Sequence, residues 1–261
     1  MVGHEGLSVS ISINGGNGRR SLREYDAPGE EPGKRSGGLK KLLNYGAVRR
    51  GDFIDITDIA YKVKYIEAVL GHRFSFHFKK DGGFQRGCHH LGIQWQIDGN
   101  NSNIHHEEID SKQPDTSWIV ECDGIYNGVY KHLFKFGQAQ NGARLPQPLL
   151  PLSLTMAADG FLVDNGRSQD EITQSYGTLR LFVYKMNNPP GQSTHGGLVV
   201  PARLTFEDPK EALKSKNLPL SVHFDVERRP ALSLAQTVDD FQDKRQLPFA
   251  VFEFRYNSTG Q

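Results

Sequence analysis

Residues 61–78 read YKVKYIEAVLGHRFSFHF, two apolar-alternating runs broken at Gly71-His72. Alternation of apolar and polar residues is the signature of half-buried strands, and the break predicts two adjacent strands with a tight connection. Tyr61, Val63, Tyr65 and Val69 share one face of the first run, and Phe74, Phe76 and Phe78 share one face of the second. The stretch predicts a β core and carries no chemistry of its own.

The same period recurs outward in both directions. Leu7, Val9, Ile11 and Ile13 alternate strictly with polar residues, and Asn14-Gly15-Gly16-Asn17-Gly18 then ends the run as a turn. That glycine cluster lacks the G-x-G-x-x-G spacing, a following helix pattern and a G-K-[ST] element, so it is not a phosphate loop. Downstream, Leu91, Ile93, Trp95 and Ile97 fall on a core face with Gln94 and Gln96 pointing away, and Asp98-Gly99 is a hairpin signal. Residues 117–122 (SWIVEC), 129–136 (VYKHLFKF), 177–186 (GTLRLFVYKM) and 249–256 (FAVFEFRY) read as further strands, with a short one at 53–56. In 177–186, Leu179, Leu181 and Val183 point inward and Arg180 outward; in 249–256, Ala250, Phe252, Phe254 and Tyr256 oppose Val251, Glu253 and Arg255. Two short helices are predicted, one around Leu39, Leu42 and Leu43 and one at 208–216 (DPKEALKSK), where Asp208 caps and Pro209 opens the first turn.

Strands at irregular spacing, without βαβ alternation or repeats, predict an all-β, antiparallel two-sheet sandwich or jelly-roll with one or two short helices in loops. A chain of 261 residues with 28 Gly and 13 Pro fits one such domain over 1–261, with loop insertions at about 26–60 and 137–175.

A net charge of +1 gives no global pull toward nucleic acid or acidic surfaces. The start MVGHEGLSVSISINGG has no basic segment followed by an apolar core, so no secretory signal is read, and no stretch approaches the ~18 apolar residues of a membrane span. Two cysteines, Cys88 and Cys122, are too few for a disulfide framework. An intracellular protein, cytoplasmic or nuclear, with reduced thiols and no membrane partner is the expectation.

Candidate chemistry is sparse. Cys88-His89-His90 and His105-His106-Glu107-Glu108 flank the Trp95 strand, and a metal site would draw on His89, His90, His105, His106 and Glu107. Neighbours on a strand point to opposite faces, so at most one histidine of each pair can converge, and the H-x-H ligand pair of cupin-like jelly-rolls is absent. No G-x-S-x-G elbow marks a nucleophile. Cys122 ends an apolar strand and reads as buried and inert. The basic residues Lys34, Arg35, Lys40, Lys41, Arg49 and Arg50 form a run that would suit a phosphate backbone, but Glu24, Asp26, Glu30 and Glu31 stand beside it, and a solvated insertion is the simpler reading.

Several islands carry a resemblance. Leu22-Arg23-Glu24-Tyr25, then Lys64-Tyr65-Ile66-Glu67-Ala68 with Phe74, then Gly177-Thr178-Leu179-Arg180-Leu181, and finally PFAVFEFRY at 248–256 resemble a large fungal family of uncharacterised proteins, a domain of unknown function. The resemblance implies a fungal source and a β-rich globular fold, and it offers no catalytic residue or cofactor. The leading expectation is a non-catalytic binding module that docks a protein partner or itself through a sheet edge or loops. The alternatives are a jelly-roll metal-dependent enzyme using the histidine pairs, and a nucleic-acid- or chromatin-associated protein using the basic segment 34–50.

Overall fold

The structure is a computed structural model that describes residues 1–15, 18–26, 59–82, 84, 88, 90–98, 100–101, 105–108, 117–127, 130–138, 177–187, 191–192, 220–228, 237–238, 241–243 and 247–258. Among the described residues there are seventeen strands and no helix. The predicted helices at 39–43 and 208–216, the strand at 53–56 and nearly all of the two predicted loop insertions lie outside them.

The first sheet holds β1 (Val2–His4), β2 (Leu7–Gly15), β3 (Gly18–Ser21), β6 (Arg73–Lys80), β10 (Trp118–Cys122), β11 (Gly124–Asn127), β12 (Tyr130–Gln138) and β15 (Leu220–Arg228). β2 lies between β3 and β6, and β6 meets β12 only at Arg73 opposite Lys135. Beyond that point the two strands part, and β10 and β11 run between them, β10 on β6 and β11 on β12. The passage is tight: a Cβ at Gly124 would lie 2.6 Å from the His132 carbonyl oxygen. β15 then pairs with β12 along its whole length.

The second sheet runs β4 (Glu24–Tyr25), β5 (Ala60–Ala68), β17 (Ala250–Ser258), β13 (Thr178–Met186), β7 (His90–Ile97) and β8 (Asn100–Asn101), with β9 (His105–Glu108) also on β7. Every pairing is antiparallel except β17 with β5. A small ribbon joins β14 (Gly191–Gln192) to β16 (Thr237–Val238). The described residues are therefore all-β, in two mostly antiparallel sheets that do not close into a barrel.

The sheets face each other across one apolar cluster. Val9, Ile11, Phe74, Phe76, Phe78, Phe134 and Phe136 from the first sheet meet Leu91, Ile93, Leu179, Leu181, Phe252 and Phe254 from the second, all fully enclosed. Burying an aromatic or branched side chain of this kind contributes roughly 1.5–3 kcal/mol each. Rings stack within the cluster, Phe74 against Phe136 with centroids 4.3 Å apart. The alternation of β2, β7, β13 and β17 predicted these inward faces correctly. Asp98 turns the β7–β8 hairpin with φ 47°, which fits the turn predicted there.

Residues 61–78 differ from the sequence expectation in two ways. Its two runs are strands, β5 and β6, but they are not neighbours: β5 belongs to the second sheet and β6 to the first. Gly71, at φ +79°, takes the left-handed conformation that glycine adopts without strain, and its N–H donates to the Phe136 carbonyl at 2.7 Å, so the connection crosses between sheets. The face of β5 is also reversed. Ile66 and Ala68 enter the shared core, while Tyr61, Val63 and Tyr65 line the opposite, outer face. The physical reason is polar: the Tyr61 hydroxyl donates to Glu253 Oε2 at 2.9 Å, and the Tyr65 hydroxyl accepts from Arg255 at 3.0 Å, partners that the apolar core does not contain.

β15 stands outside the predicted strands, although Leu220, Val222, Phe224 and Val226 alternate with Ser221, His223, Asp225 and Glu227. The short strands β1, β3 and β11 are likewise unpredicted.

Candidate functional site

The histidines expected near Trp95 do not assemble. His90 is buried on the outer face of the second sheet, opposite Met186. His105 and Glu107 lie on β9 opposite Ile93 and Leu91, and therefore on the inner face. There His105 Nε2 contacts Glu107 Oε1 at 2.6 Å, and its ring sits 5.8 Å from that of Trp95. His106 is on the β9 backbone opposite Gly92. His89 lies outside the described residues, as do Lys34, Arg35, Lys40, Lys41, Arg49 and Arg50. Among the described residues no three His, Cys, Asp or Glu side chains come together as metal donors. Cys122 is partly buried, desolvation pushes its thiol up to about 12, and it donates to the Gly124 carbonyl at 3.3 Å, an environment that disfavours the thiolate.

The structure instead assembles polar side chains on the outer face of the first sheet. Residues directly opposite each other in a ladder share a face. Ser8, Ser10, Ser12 and Asn14 on β2 therefore stand beside Lys79, His77, Ser75 and Arg73 on β6. Arg19 on β3 flanks Asn14, and Ile119 and Glu121 on β10 flank Lys79 and His77. Ser12 Oγ lies 2.6 Å from His77 Nε2. Above them Arg19 and Glu121 form an ion pair that reaches across both β2 and β6. A second strap runs from Arg73 to Asp225 and Glu227 on β15, each at 2.9 Å, with Lys135 3.4 Å from Asp225.

A serine hydroxyl against a histidine invites a nucleophile–base reading, and two features argue against it. Ser12 lies mid-strand with ladder partners on both sides, Ser21 and Ser75, rather than at a turn or helix start where backbone N–H groups converge on an oxyanion. Glu121, the acid that would orient the imidazole, engages Arg19 instead. Burial lowers the His77 pKa; Glu121 raises it and Arg19 lowers it further. The ring is thus neutral at pH 7 and suited to hydrogen bonding with a hydroxyl.

The outer face of the second sheet is buried at its centre. Gln96, Arg180, Glu253 and Val63 form one row across four strands. Arg180 donates to Gln96 and to Glu253 at 2.6 Å each, and Arg255 donates to Glu253 at 2.7 Å. Gln96, Arg180 and Glu253 are all buried. Burial pushes the Glu253 carboxyl up, but the Arg180 and Arg255 guanidiniums outweigh it and hold the pKa below the usual carboxylate range. Beside them Phe182, Tyr184, Met186 and Val251 pack with Ile59, Tyr61 and Phe241. The centre of this face is an internal layer, with Arg255 at its side 33% exposed, whereas Arg19 and Glu121 on the first sheet are 48% and 34% exposed.

No helix among the described residues is long and apolar enough to cross a membrane. No curated protein and no solved structure matches the chain. The family comparison does match: residues 6–261, which include every described strand except β1, fit the model described as Domain of unknown function (DUF7918), and the chain belongs to that family.

Proposed function

We propose that this chain is a non-catalytic binding module that engages a protein partner through the outer face of its first sheet. The observation that carries the reading is the asymmetry of the sandwich. The second sheet buries the centre of its outer face, while the first sheet presents two half-exposed ion-pair straps and an isoleucine, Ile119, with 62% of its surface in solvent beside Lys79. An exposed apolar residue within a polar frame, held on a rigid sheet, is the composition of a recognition surface. The described carboxylates that are most buried, Asp98 and Glu253, each accept several internal hydrogen bonds, which is a structural use of charge.

The experiment is cross-linking mass spectrometry on the full chain added to an extract of its source cells, alongside an Ile119→Asp, Lys79→Glu variant. Cross-links from the outer face of the first sheet to one partner, lost in the variant while its melting temperature is kept, are expected. Cross-links that map elsewhere, or that the variant leaves intact, would sink the reading. Links between two copies of the chain would identify the partner as the protein itself.

A further inference from the structure

We propose that the trough formed by Arg19, Ser12, Ser75 and His77 on the first sheet binds a phosphoryl group, with the Glu121 carboxylate holding the Arg19 guanidinium when the group is absent. This deepens the proposed function, on which it rests, by naming the chemistry that the partner presents.

The argument starts from an unsatisfied atom. Ser75 has no exposed surface, and its Oγ has no hydrogen-bond partner; Ser8 Oγ, on the same face, is also enclosed and unpartnered. Buried hydroxyls without a partner are uncommon, because their lost hydration goes uncompensated. Serines at 8, 10, 12 and 75 keep the face low between the taller His77, Lys79 and Arg73, so it is recessed where the orphan hydroxyl points outward.

The roof over this recess is displaceable. Arg19 and Glu121 stand on β3 and β10 with two strands between them, so their ion pair lies across Ser12 and Ser75. Both side chains are partly exposed, and a solvent-screened pair of that kind contributes little to stability. A phosphoryl dianion competes well for the same guanidinium, because arginine binds phosphate through two parallel N–H bonds. It also has oxygens left for the Ser75 and Ser12 hydroxyls and for the His77 ring. A carboxylate has too few oxygens for all four groups, and Glu121, tethered on β10, reaches only Arg19 among them. Glu121 is thus a resident stand-in for the ligand.

The test uses the purified full chain at constant ionic strength, with inorganic phosphate, a phosphoserine peptide and the same peptide unphosphorylated as probes. The readouts are the His77 ring resonances by NMR and the heat of binding by calorimetry. Saturable binding of a phosphoryl probe with a shift of the His77 signals is expected. Glu121→Gln should tighten it severalfold and Arg19→Gln should weaken it by about tenfold or more. Ser75→Ala should weaken it as well, with melting temperatures showing each variant folded. Preference for the phosphopeptide assigns the group to a partner chain, and preference for inorganic phosphate assigns it to a free anion. Absence of saturable binding in Glu121→Gln, where the competitor is gone, would overturn the proposal, as would equal affinity in Arg19→Gln. If phosphate fails while the Ile119→Asp, Lys79→Glu variant still loses its partner, the site is wrong and the recognition surface stands.

Discussion

The Tyr256 hydroxyl lies 2.8 Å from each carboxylate oxygen of Asp98. Asp98 also accepts from the Gly177 N–H at 2.9 Å and from the Val222 N–H at 3.1 Å. Val222 belongs to β15 in the first sheet and Tyr256 to β17 in the second, so one turn residue fastens both sheets. Burial pushes its carboxyl up to about 6, against the hydrogen bonds that pull it down.

That raised pKa sets a sign for pH dependence. The folded state keeps the Asp98 proton up to about pH 6, while the unfolded chain releases it near 3.8, so the native state binds more protons in between. Stability from this group therefore falls as pH rises from about 4 to about 6. At about 1.4 kcal/mol per pKa unit, the ionised carboxylate costs roughly 3 kcal/mol above that window. Urea unfolding of wild type and Asp98→Asn at pH 4 and pH 7 should show the variant gaining on wild type by about that amount. A difference that stays flat with pH would refute it.

Tyr256→Phe removes one donor from an enclosed carboxylate and leaves the packing against Phe136, with centroids 5.3 Å apart, in place. A loss of about 1–3 kcal/mol at pH 7 is expected, shrinking at pH 4, where Asp98 is protonated. Denaturant midpoints at the two pH values measure it.

The Glu253 row slopes the other way. Its carboxyl is held below the ordinary range, so its stabilisation is complete above the unfolded pKa and is lost as pH falls through the folded one. Arg180→Met removes the more buried of the two guanidiniums on Glu253, leaving Arg255 and the Tyr61 hydroxyl, and should cost about 3 kcal/mol, whereas Arg19→Gln on the first sheet should cost under about 1 kcal/mol. Thermal melts of the two variants side by side rank them; equal costs would contradict the burial difference between the two faces.

Gly124→Ala drives a methyl group against the His132 backbone, where β10 and β11 pass between β6 and β12. Backbone has no rotamer to yield, so a loss of about 1–3 kcal/mol is expected. Hydrogen exchange should localise the loosening to β11 and β12.

Much of this architecture was legible as period. The strict alternation of Leu7, Val9, Ile11 and Ile13, of Leu91 to Ile97 and of Ala250 to Tyr256 determined which residues are strands and which side of each is apolar, because a half-buried strand admits no other pattern. β15 carried the same signal; its odd positions His223, Asp225 and Glu227 look like loop until Arg73 and Lys135 stand opposite them. What alternation cannot encode is which sheet a strand joins. β5 and β6, joined by a four-residue connection, part into different sheets, and the side of β5 that faces the core follows from where its tyrosine hydroxyls find partners. The candidate site was hidden for the same reason. Ser12, Arg19, His77 and Glu121 are scattered over more than a hundred residues, and only the strand order of the first sheet brings them together. Local sequence determined the strands of this protein; long-range pairing, set by burial and by where buried polar atoms are satisfied, decided the rest.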